Sequence, residues 1–161
     1  MSHDIVDLTR LMRAAVAHSI RHVEAGGIPF VGQVVADDGY ASEFGVNLVR
    51  ETGDLTAHAE IVAMRAALLE RGTFDLHGLR LLATGEPCGL CYLFAAEQRI
   101  SAIYYAVDAN TAARWGFDYR AGYAQPPVGR LRTAENVHRL RVEHALDPFT
   151  RYHEVSGVTQ R

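Results

Sequence analysis

Thr56-Ala57-His58-Ala59-Glu60, followed downstream by Glu86-Pro87-Cys88-Gly89-Leu90-Cys91, decides how this chain is read. One imidazole and two thiols form a ligand set suited to tetrahedral zinc, and three protein ligands leave the fourth position open for water. His58, Cys88 and Cys91 are therefore the candidate metal ligands, with Zn2+ as the cofactor. Glu60 is not needed as a ligand and is the candidate catalytic residue, a carboxylate left for proton transfer. Each half of the pattern has a plainer reading alone. A C-x-x-C can be a redox pair or part of a structural zinc site, and a histidine and a glutamate two apart are ordinary on a helix. Four things join the halves: their order, the proline directly before Cys88, an intervening length of one helix plus one strand, and the absence of any cysteine besides these two.

The local sequence explains the placement. Ala57 to Arg71 is rich in Ala, Leu, Met and Arg with apolar residues at helical spacing, and it stops at Gly72. His58 and Glu60 are expected in its first turn. Leu79 to Thr84 reads as a buried strand, and Pro87 suits the first position of a second helix, Cys88 to Gln98. Cysteines three apart share a helix face, so both sulfurs can reach one ion, and the positive end of the helix favours thiolate.

The rest of the chain gives an α/β order. Asp7 to Glu24 is an amphipathic helix closed by Gly26-Gly27, and Val31 to Ala36 is a strand. Asp37-Asp38-Gly39 turns the chain, and Tyr40 to Val46 returns as its antiparallel partner. Ser101 to Val107 is a further buried strand and Asn110 to Gly116 a short helix. Gly122 to Gly129 reads as loop, Thr133 to Leu146 as a helix with a capping threonine, and Ser156 to Arg161 as a fraying tail. These elements predict a three-layer sandwich on a mixed sheet, its later parallel strands joined by right-handed crossovers.

Composition agrees with one domain over residues 1–161, with a core over about 5–120 and a C-terminal helical segment and tail over 121–161. A chain of 161 residues with 48% hydrophobic content buries a core without disulfides. No apolar run is long enough to span a bilayer. Met1 to Ala15 has neither a basic leader nor a continuous apolar stretch, so a cytoplasmic location is expected, where a C-x-x-C stays reduced. All 16 basic residues are arginine, which excludes a Schiff-base lysine mechanism.

H-x-E with P-C-x-x-C is the signature of zinc-dependent nucleobase deaminases, and the chain resembles the cytidine deaminase superfamily. Within it, Gly26-Gly27-Ile28-Pro29-Phe30 before a strand, Asn47 eleven residues before His58, the two metal motifs and Gly116-Phe117-Asp118 resemble the guanine deaminase and related nucleobase deaminase branch. The likeness runs from about Asp7 to Tyr119. It implies a cytidine deaminase-like three-layer α/β/α sandwich around a mixed five-stranded sheet, a homodimer, and hydrolytic removal of the amine from an aminated heterocycle. It also implies that Asn47 hydrogen-bonds the base and Phe30 lines its pocket. Ala59, Glu86, Trp115, Asp118 and Tyr119 complete the candidate substrate-binding set, Trp115 and Tyr119 as aromatics able to stack on a flat ring. Asp147 to Tyr152 resembles a closing segment over the site or toward a partner, which adds Tyr152 and His153 as candidates. The chain departs from the branch at Val31, Leu55 and Gly89-Leu90. It departs most at Tyr119, where guanine deaminases carry a second acidic residue, so guanine suits it poorly.

Three functions follow from this reading: a deaminase of a free base or nucleoside, a tRNA adenosine deaminase, or a non-catalytic zinc-stabilised module. A formal net charge of −3 argues against tracking a phosphate backbone. Arg130, Arg132, Arg139 and Arg141 are the counter-signal, although Arg139 and Arg141 fall on different faces of the expected helix.

Overall fold

A computed structural model describes residues 5–157; residues 1–4 of the N-terminal stretch and 158–161 of the expected fraying tail lie outside it. The order is α1 (Ile5–Glu24), β1 (Val31–Val35), β2 (Gly45–Val46), α2 (Val49–Thr52), α3 (Ala59–Arg71), β3 (Arg80–Gly85) and α4 (Gly89–Glu97). It continues with β4 (Ala102–Val107), α5 (Ala109–Arg114), a 3₁₀ turn (Arg120–Ala124), α6 (Val128–Arg132), β5 (Val137–Arg139) and α7 (Asp147–Ser156). The sheet runs β2-β1-β3-β4-β5. β1 is antiparallel to both β2 and β3, while β3, β4 and β5 are parallel.

Alternation along the strands divides the core. Val34 and Leu81 join Ile61, Met64 and Tyr92 beneath α3 and α4, whereas their neighbours Val35 and Leu82 join Leu8, Met12 and Val16 beneath α1. This is the expected three-layer α/β/α sandwich around a mixed five-stranded sheet. No helix among the described residues is long and apolar enough to cross a membrane.

Three segments differ from the sequence reading. Thr133 to Leu146 is not a helix; it holds β5. The open edge of β4 captures it: Ile103 N–H donates to Asn136 O at 2.9 Å and Leu140 N–H to Tyr105 O at 2.7 Å. Backbone pairing with β4 outweighs the helical tendency of this segment. Arg139 consequently leaves a strand and meets Asp108 at 3.1 Å. Gly122 to Gly129 is more ordered than a loop, ending the 3₁₀ turn and starting α6. Tyr40 to Val46 pairs with β1 only at Gly45–Val46 and at a bridge between Ala41 and Val35. Between these points Ser42 N–H donates to Val34 O at 2.8 Å, and the return bond goes to its side chain, the hydroxyl accepting from Val34 N–H at 3.0 Å.

Candidate active site

Two helix starts build the centre. His58 is the N-cap of α3 and Cys88 the N-cap of α4, both in extended backbone. They sit one step before the first turns where the sequence placed them. Neither side chain caps its own helix; the imidazole and the thiol turn toward each other, at the positive ends of both helices. The loop leading to His58 is fixed by Asp54, which accepts from Thr56 N–H at 2.9 Å and the Thr56 hydroxyl at 2.6 Å. Arg65 donates to Asp54 at 3.0 Å and to the Thr56 hydroxyl at 2.8 Å. These bonds, the Thr56 hydroxyl first, hold the Asp54 carboxyl at about 2.

Cys88 Sγ lies 3.3 Å from His58 Nδ1 and 3.7 Å from Cys91 Sγ, and Cys91 Sγ lies 3.6 Å from His58 Nδ1. Zinc bonds of about 2.3 Å to sulfur and about 2.0 Å to nitrogen, at tetrahedral angles, give edges of about 3.8 Å between sulfurs and about 3.5 Å from sulfur to nitrogen. The three side chains already form that triangle, so the residues fit Zn2+ as placed. The hydrogen bond shared with Cys91 is the first cause that lowers the Cys88 thiol to about 4, and the same bond with burial pushes Cys91 well above its ordinary value. The imidazole is raised, first by its bond with Cys88.

Glu60 stands beside this triangle in the first turn of α3. It is 4% exposed, with Oε2 3.2 Å from Cys91 Sγ, and among the described residues no arginine pairs with it. Burial, then the charge of Cys88, raises its carboxyl to about 7. Two glycines that the sequence reading passed over make the burial possible. Gly32 and Gly45 face each other across β1 and β2, and both strands press on the backbone of α3 there. A Cβ on Gly32 would stand 2.9 Å from Glu60 Cα, and one on Gly45 would overlap the Ala59 carbonyl oxygen.

A cavity of about 290 Å³ opens onto His58, Glu60 and Cys88. Phe30, Asn47, Ala59, Glu86, Asp118 and Tyr119 all line it, together with Ile28 and Phe117, which the sequence reading quoted within motifs without assigning a role. Trp115 is outside the lining. It packs on the His153 ring at 5.3 Å, and its carbonyl accepts from His153 Nε2 at 2.6 Å. Tyr152 and His153 do not line the cavity either; α7 backs its wall, with Phe149 against Phe30 and Tyr152 against Phe117. The Asn47 side-chain Oδ1 accepts from Val49 N–H at 3.0 Å. Asp118 is turned to Arg120, which it holds at 2.9 Å through both oxygens, and the Tyr119 hydroxyl donates to the Glu86 carbonyl at 2.6 Å. Glu86 is 1% exposed; its carboxylate accepts from Tyr92 OH and Ala109 N–H, both at 2.9 Å, and from Arg132.

An α/β/α sandwich with a His-Cys-Cys zinc triangle at two helix starts, opening on a pocket walled in part by Phe30, Phe117 and Tyr119, defines a zinc-dependent hydrolase of the deaminase class. Residues 6–107 match the cytidine and deoxycytidylate deaminase zinc-binding region, and the chain belongs to that family. It is a hydrolytic deaminase acting on an aminated heterocycle. It is 37% identical over 139 residues to guanine deaminase of Bacillus subtilis, covering 86% of this chain and 88% of that one. It is 34% identical over 104 residues to the tRNA-specific adenosine deaminase of Agrobacterium fabrum, covering 65% and 68%. The structure of the Bacillus subtilis guanine deaminase superposes with a TM-score of 0.68 at 29% identity, covering 96% of this chain and 95% of that one.

Proposed function

We propose that this chain is a single deaminase domain that removes the exocyclic amine of a small free heterocycle, a purine- or pyrimidine-like base or its nucleoside, with Glu60 carrying the protons. The observation behind this reading is the Glu60 carboxylate, buried beside the ligand triangle, in the wall of the cavity, with no arginine among the described residues to balance it. A zinc site kept only for folding has no use for that group, and burying it is costly. This weighs against a non-catalytic module.

A bound zinc ion supplies the Lewis acidity that makes water nucleophilic near neutral pH. Glu60 accepts a proton from the attacking water and delivers it to the ring nitrogen beside the amine-bearing carbon; it then takes the second proton from the newly added hydroxyl and passes it to the departing nitrogen, which leaves as ammonia. A carboxyl held at about 7 serves both directions of transfer. Asn47 presents its amide to the heterocycle edge, and Phe30, Phe117 and Tyr119 enclose the ring. The guanine deaminase relative favours a free base as substrate class. Guanine itself is disfavoured: Asp118 is committed to Arg120, and Tyr119 stands where a second carboxylate is found in that branch.

The tRNA reading has the Agrobacterium relative in its favour. Against it stand the net charge of −3 and the use of two of the four clustered arginines inside the fold, Arg132 on Glu86 and Arg139 on Asp108. Reduced thiol ligands suit a cytoplasmic setting. The outer face of α4, where Leu90 and Leu93 are 40% and 39% exposed, is an apolar surface suited to a homodimer.

The test is ammonia release by zinc-loaded protein across aminated bases, nucleosides, pterins and triazines, with tRNA in parallel. Turnover of a free base or nucleoside is the expected result. Activity on tRNA alone would replace this reading with the second.

A further inference from the structure

The turn that carries Cys88 is held at three of its polar backbone groups. Glu86 N–H donates to Val107 O at 2.8 Å, the Tyr119 hydroxyl donates to the Glu86 carbonyl at 2.6 Å, and the Tyr123 hydroxyl donates to the Pro87 carbonyl at 2.6 Å. Pro87 has no N–H to satisfy. The Glu86 side chain is gripped as well, by Arg132 Nε at 2.6 Å and Nη2 at 3.2 Å. The Arg132 guanidinium lies over the Tyr123 ring, 4.3 Å from its centre, so two of the three grips support each other. Tyr119, Tyr123 and Arg132 all come from the stretch after residue 107, where the family match ends.

The thiol of Cys88 hangs from the backbone by one rotatable bond. Its sulfur can occupy the zinc triangle reproducibly only if the peptide before it is fixed, and outer contacts of this kind orient ligands and tune metal affinity. We infer that Tyr123 is a positioning residue for the zinc centre: its hydroxyl, through the Pro87 carbonyl, sets Cys88 Sγ in the ligand triangle, with Tyr119 and Arg132 completing the clamp. This rests on the zinc site and on no particular substrate.

Tyr123→Phe removes the hydroxyl and keeps the ring over Arg132. Tyr40→Phe is the control, losing a phenol bond of similar length, 2.8 Å to Glu70, near the far end of α3. Zinc-loaded wild type and both variants are challenged with a chelator, and their Co2+-substituted forms are compared by visible absorption. Tyr123→Phe is expected to release zinc about 10-fold faster or more, with shifted cobalt bands, while Tyr40→Phe matches the wild type in both. Unchanged release and an unchanged spectrum in Tyr123→Phe would overturn the inference. So would a Tyr40→Phe variant that loses zinc as fast as Tyr123→Phe, because the effect would then be one of general stability.

Discussion

Glu60 and Glu86 are the same residue type, both almost fully buried and both beside the zinc triangle, yet their surroundings are opposite. Glu86 accepts from Arg132, the Tyr92 hydroxyl and Ala109 N–H, and so ties α4, α5 and α6 to the turn before Cys88. Glu60 has a thiol at 3.2 Å and, among the described residues, no arginine. A saturated carboxylate holds structure, because every oxygen is spent. One left unsaturated inside a cavity remains available to move protons, and the fold carries its burial at a cost in stability.

The comparison breaks most visibly at Glu86. Glu86→Ala leaves Arg132 without its buried counter-charge, and denaturant titration is expected to show a loss of about 3 kcal/mol or more. A loss below 1 kcal/mol would mean that the hub is not structural.

Glu60 should behave in the opposite way. Its carboxyl is raised from an ordinary 4.5 to about 7 in the fold, so between those values the folded chain binds more protons than the unfolded one. The contribution of this group to stability is therefore present below about 4.5 and is lost as pH rises through about 7. In zinc-stripped protein, Glu60→Gln is expected to match the wild type at pH 4 and to exceed it at pH 8 by about 3 kcal/mol. Denaturation curves at both values check the sign.

The smallest effect probes how Glu60 is buried. Gly45→Ala drives a Cβ into the Ala59 carbonyl and is expected to cost about 1–3 kcal/mol. A fully stable Gly45→Ala variant would show that β2 does not press on the first turn of α3.

The ligand triangle was legible because its signal is local: motif, proline and helix starts lie within a few residues of each other at both His58 and Cys88. Of the expected strand Tyr40 to Val46 only Gly45–Val46 forms β2; β1, β3 and β4 were legible, their apolar runs long enough to read alone. β5 was not, since a strand of three residues owes its existence to the edge of β4 and not to Val137-His138-Arg139. Gly32 and Gly45 were silent for a related reason: their role is a close approach to α3, and the sequence does not say which helix crosses which strand. Trp115 shows the same limit from the other side, as an aromatic in a promising segment that the chain uses to seat His153. The partners of Glu86 lie at positions 92, 109 and 132, and no local pattern links them.

The most direct test of the central claim is turnover by Glu60→Gln on any substrate the wild type deaminates, with zinc content measured on the same sample. One zinc per chain and a fall in kcat of about 10²- to 10⁴-fold are expected. Wild-type turnover in that variant would contradict it, as would a loss of zinc equal to the loss of activity, because Glu60 would then be serving the metal and not the proton.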